Sequence, residues 1–319
     1  MCFWTIVRCI PLTWSSSLTD DVVWLLVSFC DFRTMIAWRS TCRRNFAIVA
    51  SVLRARYKDL VRSFVPNVFA FNDALRRHSA VISGSVALYY FIPCATWFPN
   101  DMDIYVSHDE FPTLLYTLEN DPALQFRPVP LVEDLKLPTS FSVDVAEIRK
   151  FTTPSGLFVD VIRSRRSTPV SPLAQFWTSM LVNFLTPDAC VSAFPRMVFN
   201  GRGYVKDFGM TSRDVAAMRK YAARDFCPGA KFEFIPEHWA TWKDPFYWQK
   251  DYFSDGEALV IDFRSRVQDS MPSLPIHSSM NGWKMIIPFP AGALSYLRIC
   301  VVDQLTSSVL RTNRPCRCR

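Results

Sequence analysis

Glycine is scarce in this chain, 9 of 319 residues, or about 3% against a usual ~7%. A glycine at a corner between two elements is therefore expected to answer a backbone requirement. Long apolar runs are missing too: none approaches the ~18 residues that a membrane span needs. The ten cysteines are scattered and the four histidines lie far apart. Cys316-x-Cys318 lacks a second pair, so no zinc spacing is present. Dense Lys/Arg blocks are absent. The richest is Arg163-Ser164-Arg165-Arg166, which suits a solvated strand end as well as a phosphate contact. The opening MCFWTIVRCIPLTW carries Arg8 inside its apolar part and no small-residue cleavage site, which reads against a secretory signal. Most thiols are expected to be buried and reduced, in a cytoplasmic or nuclear protein.

What is present suits a globular chain. Half of the residues are hydrophobic, 20% are charged and 14% aromatic, and the length allows about two domains with real cores. The net charge of +7 tolerates a phosphate-bearing ligand and does not by itself establish a nucleic-acid partner. No membrane partner is expected.

The stretch Ala80–Val106, AVISGSVALYYFIPCATWFPNDMDIYV, organises the rest. Ala80-Val81-Ile82 reads as a short buried strand, and Val86–Phe91 as a helix. Gly84-Ser85 forms the corner between them, where free backbone N–H groups at a helix start favour phosphate. Asp101–Val106 alternates as a strand, so Asp101 and Asp103 share one face, ~7 Å apart. Such a pair beside a phosphate-binding corner suits divalent ions and a triphosphate. Further on, Val143–Phe151 and Leu157–Ile162 alternate around the turn Thr153-Pro154-Ser155-Gly156, which reads as a hairpin. It carries two more acids, Asp144 and Asp160, each between valines.

These parts together resemble the nucleotidyltransferase superfamily, the polymerase-beta-like fold. The resemblance rests on Gly84-Ser85, Asp101-Met102-Asp103 and Val159-Asp160-Val161, with a longer interval after Ser85 than the family usually shows. It implies a mixed sheet with flanking helices and an NTP as substrate. It also implies two Mg²⁺ (or Mn²⁺) ions held by Asp101, Asp103 and Asp160, with Gly84 and Ser85 at the β/γ-phosphates. Asp160 is favoured over Asp144 because the family keeps its last acid on the second strand.

Upstream, Val22, Val23, Leu25, Leu26 and Phe29 recur at helical spacing, with Thr19 or Asp20 available as a cap. Met35–Trp38 and Phe46–Leu53 follow as further short helices. LTDDVVWLLVSFCDFRTMIAWRSTCRRNFAIVASVLRARY resembles an F-box, with Thr19 where many members carry Pro. That resemblance implies docking on the Skp-type adaptor of SCF ubiquitin ligases; the alternative is a plain helical cap.

The expected fold class is α+β. A three-helix F-box-like module spans 18–64, a nucleotidyltransferase-like mixed sheet 67–255, and a C-terminal β segment packs on it over 256–319. A helix is read from Ser171 through Phe184, and another from Ser212 to Arg224, with Lys220 and Arg224 as phosphate candidates. The aromatic run Trp239–Phe253 reads as core, partner surface or base-stacking site. No Ser-His-Asp or Cys-His set is recognisable, so chemistry would rest on metals and positioning. Nucleotidyl transfer, a non-catalytic ubiquitin-ligase adaptor and a purely structural role remain the alternatives.

Overall fold

A computed structural model describes residues 18–130, 144–206, 210–236 and 259–263. The leader, the Trp239–Phe253 aromatic run and residues 264–319 of the expected C-terminal β segment lie outside them. Among the described residues four helices come first: α1 (Asp20–Ser28), α2 (Phe32–Arg39), α3 (Arg43–Arg62) and α4 (Val68–Arg77). Local chemistry fixes their starts. The Asp31 carboxylate accepts from Thr34 N at 2.7 Å, and Asn67 accepts from Phe69 N and Ala70 N, each satisfying amides that have no intrahelical partner. α3 runs past the expected Leu53 because its buried stripe continues through Tyr57, Leu60 and Val61.

The chain then builds β1 (Val81–Ser83), α5 (Gly84–Phe91), β2 (Asp101–Val106), α6 (Phe111–Asn120), β3 (Arg127–Pro128), β4 (Val145–Thr152) and β5 (Phe158–Ser164). After two 3₁₀ turns come β6 (Asn183–Leu185), β7 (Ala189–Ser192), α7 (Pro195–Phe199), β8 (Arg202–Val205), α8 (Ser212–Ala223), β9 (Asp225–Cys227), β10 (Ala230–Lys231), β11 (Glu233–Pro236) and β12 (Leu259–Asp262). The main sheet is mixed, in the order β12-β7-β6-β1-β2-β5-β4-β3. β2 and β5 pair in parallel, while their other neighbours in the sheet run antiparallel. The protein is α+β.

Two expectations about elements change. Residues 171–185 do not form a helix but two 3₁₀ turns, Ser171–Gln175 and Ser179–Leu181, followed by β6. Positions 176–187 are buried on every side, so their apolar spacing reflects full burial and not one helical face. Residues 259–262 are not part of an added segment but pair with β7 as an edge strand of the main sheet. Ser107 Oγ accepts from Glu110 N at 3.4 Å just ahead of α6.

The N-terminal helices and the sheet share one core. Phe32 of α2, buried, packs its ring on Tyr90, Phe91 and Phe199 at centroid distances of 5.9, 4.9 and 5.4 Å. The Tyr90 hydroxyl donates to Leu53 O at 3.0 Å, and Arg39 donates to Asp262 O at 2.9 Å. A unit of three short helices buries too little surface alone, and here α5 and α7 complete its core. Phe32→Ala is therefore expected to cost about 3–5 kcal/mol and to shift one cooperative transition of the whole body in a chemical denaturation series. Two separable transitions, with only the first shifted, would show that the helices fold apart from the sheet.

Candidate active site

Asp101 and Asp103 project from one face of β2, while Met102 and Ile104 between and after them are buried. The β2–β5 ladder pairs Asp103 with Asp160, and β1 on the other side pairs Ser83 with Asp103. In a parallel ladder, directly paired residues send their side chains to the same face. The register thus brings Asp101, Asp103 and Asp160 to one side of the sheet, next to the corner at Gly84.

The corner has a specific steric cause. Gly84 opens α5 with φ +65°, and a Cβ built on it would fall 2.1 Å from Asp103 Oδ2. Its glycine is required by the left-handed backbone and by the carboxylate pressed against it. The Asp103 carboxylate consequently lies at the N-terminus of α5, where the helix dipole favours negative charge. Ser83 Oγ anchors the corner by donating to Asn183 O at 2.6 Å. Ser85 Oγ stands 3.5 Å from both Asp101 O and Asp101 Oδ1, so the Gly84-Ser85 pair and the two acids form one assembly.

Charge is concentrated here. Burial, then Asp101 and Asp160, push the Asp103 carboxyl from 3.8 up to about 8, against the pull of Arg213 and Lys150. Burial also raises Asp160, while Lys150 pulls it the other way. Lys150 sits opposite Asp160 in the β4–β5 register, with Nζ 3.1 Å from Asp160 Oδ1 and over the Phe158 ring. Among the described residues no three His, Cys, Asp or Glu side chains are grouped as metal ligands; here the third carboxylate is engaged by a lysine. Lys150 was not singled out from the sequence, yet counting back across the Thr153–Gly156 turn places it opposite Asp160. Nothing local marks Arg213.

Asp144 lies elsewhere. It precedes β4 at the far end of β5, where Val145 pairs with Ser164. Its buried carboxylate accepts from Arg166 Nε at 2.8 Å and from Gln175 Nε2 at 3.2 Å. It is a structural ion pair, apart from the three acids. Of the two phosphate candidates on the late helix, Lys220 is exposed, and Arg224 lies over the rings of Trp97 and Tyr221 at 4.2 and 4.8 Å.

The loop between α5 and β2 packs against α8. Trp97 meets Tyr221 edge-on at 6.2 Å, and Tyr221 in turn feels the charges of Asp103 and Asp101. A disulfide, Cys94–Cys227, fastens this loop to β9 with a Cα–Cα distance of 5.1 Å. The sequence reading paired no cysteines. Cys30 and Cys190 are free and buried, with burial raising both thiols, and Cys42 is free and exposed.

The raised Asp103 carboxyl has a pH consequence. The folded state holds this proton more tightly than the unfolded chain, so its contribution to stability is full below about pH 3.8 and is lost as pH rises toward about 8. In chelator, the melting temperature of wild type relative to Asp103→Asn is expected to fall steadily across that window. A difference that stays constant with pH would contradict the crowding of these acids. Compared with protein-family models, curated proteins and solved structures, the chain matches none, so its function is argued from this geometry.

Proposed function

We propose that the chain is a metal-dependent nucleotidyltransferase of the polymerase-beta-like kind, with an F-box-like helical unit ahead of it. The observation that carries this reading is the parallel register setting Asp103 against Asp160, with Asp101 on the same face and the Gly84-Ser85 corner beside them. Asp103 and Asp160, whose protons are held up by burial and by neighbouring carboxylates, fit a divalent cation in charge. Mg²⁺ or Mn²⁺ held there by Asp101 and Asp103 would neutralise charge on a triphosphate. Asp160 completes the acidic face and takes the proton of an acceptor hydroxyl, once Lys150 turns from it to the substrate's phosphates. The N-terminal amides of α5 receive the β/γ-phosphates. The acceptor oxygen bonds the α-phosphorus, the α–β bridging bond breaks, and pyrophosphate leaves.

The test is turnover of labelled NTPs with Mg²⁺ or Mn²⁺, followed as pyrophosphate release. Asp101→Asn and Asp103→Asn should each lower the rate at least ~100-fold, the effect of about 2.7 kcal/mol in the transition state. Asp144→Asn should leave the rate unchanged. A wild type that releases no pyrophosphate from any NTP would overturn the enzymatic reading.

A second reading, a non-catalytic adaptor of an SCF-type ubiquitin ligase, is favoured by the outer face of α1. Val22, Trp24, Leu25 and Phe29 are all exposed, Leu25 at 53% and Phe29 at 78%. Four large apolar side chains on one helix and its end invite a protein partner. The partner implied is the Skp-type adaptor. Met35 is buried at 1% and so belongs to the core and not to this face. Leu25→Asp is expected to abolish co-purification with the adaptor while leaving the melting temperature within a degree or so, since the side chain packs on little. An intact, folded protein that never retains the adaptor would reduce these helices to a cap.

A further inference from the structure

A cavity of about 480 Å³ opens between α3, α4 and the turn from β6 to β7. That is room for a small molecule. Asp101, Asp103 and Asp160 do not line it. Its chemistry is one-sided. Arg54, Lys58 and Arg62 come from α3 and Arg76 from α4, and Asp188 is the acid among the described lining residues.

The three α3 cations recur every four residues, about 6 Å apart along the axis, on one face of the helix. Like charges at this spacing weaken a helix, so the row calls for a counter-charge. Arg62 meets Asp59 at 2.7 Å and Arg76 meets Asp188 at 2.8 Å. Both pairs are exposed, so they contribute little to stability and can yield to a stronger anion. Lys58 is exposed and has no acidic partner among the described residues. A buried donor points the same way. Asn72 is 7% exposed, and its Oδ1 accepts from the Tyr57 hydroxyl at 2.7 Å. Its N–H₂ has no partner among the described residues, and Asn72 lines the cavity. A buried donor left over beside a row of cations suits an occupant that brings charged acceptor oxygens.

We propose that this cavity binds a small ligand carrying two or more phosphate groups. The row from Arg54 to Arg62 spans about 12 Å, more than one phosphate bridges through hydrogen bonds of ~2.8 Å. Guanidinium forks match phosphate oxygens two at a time, and Lys58 adds a point charge between them. Asn72 donates to an oxygen that lies deepest. The site is independent of the three acids and does not rest on the nucleotidyltransferase reading.

The experiment titrates the full chain with tripolyphosphate by calorimetry, in chelator and 0.1 M salt. Without metal the acidic face repels this probe and offers it no second site. Tripolyphosphate should bind saturably, and inorganic phosphate at least ~10-fold more weakly. Lys58→Glu, on an exposed side chain, should weaken tripolyphosphate at least ~10-fold. Asn72→Asp keeps an acceptor for Tyr57 and removes the donor; it should weaken binding as well, with circular dichroism checking that it folds. Arg43→Glu makes the same change of charge on the same helix, about 22 Å from Lys58, beyond the ~10 Å over which exposed charges act at this salt. It should bind as wild type. Equal losses from Lys58→Glu and Arg43→Glu would reduce the effect to overall charge and overturn the proposal, as would a wild type that binds no tripolyphosphate. Tighter binding of an oligothymidylate than of tripolyphosphate would also overturn it, in favour of a nucleic-acid strand.

Discussion

The parallel ladder between β2 and β5 is the constraint on which the site depends. β2 leaves the sheet through α6, and the chain returns antiparallel in β4 before turning back as β5. That crossover is what allows β5 to run alongside β2 in the same direction. A one-residue slip in the ladder would send Asp160 to the opposite face of the sheet, among the buried side chains. The apolar residues alternating with the acids, Met102, Ile104, Val159 and Val161, are all fully buried and hold the register against such a slip.

Placing three carboxylates on one face creates a charge problem, and the fold meets it in several ways. Lys150 pairs with Asp160 from the neighbouring strand, and Asp103 lies against the start of α5 at the cost of requiring glycine there. Arg213 adds positive potential from α8. Lys150 is nearly half exposed, so its ion pair contributes little to stability and can give way to a more strongly bound cation. The same arrangement therefore suits either a resting site awaiting metal and triphosphate or a site balanced without them. The exposed face of α1 is compatible with both readings.

Much of this was legible because it is local. Alternation in Asp101–Val106 and the Thr153–Gly156 turn each depend on residues a few positions apart, and the elements follow them. Gly84 was picked out by its rarity at a corner, but the sequence could not show that Asp103, 19 residues on, presses against it. Residues 176–187 misled because complete burial removes the polar face that separates a helix from a strand. The Cys94–Cys227 bridge, the pairing of β12 with β7 and the Arg224–Trp97 stack join segments far apart in the chain, and no local pattern announces such contacts.

The central claim is that Asp101, Asp103 and Asp160 act as one cation-binding face and Asp144 does not. Direct titration of Mn²⁺ into the metal-free protein, read by electron paramagnetic resonance, tests it most directly. The account predicts saturable binding that Asp101→Asn or Asp103→Asn abolishes and Asp160→Asn weakens ~10-fold or more, with Asp144→Asn binding as wild type. A wild type that binds no Mn²⁺, or binding lost with Asp144→Asn and kept with Asp160→Asn, would contradict it.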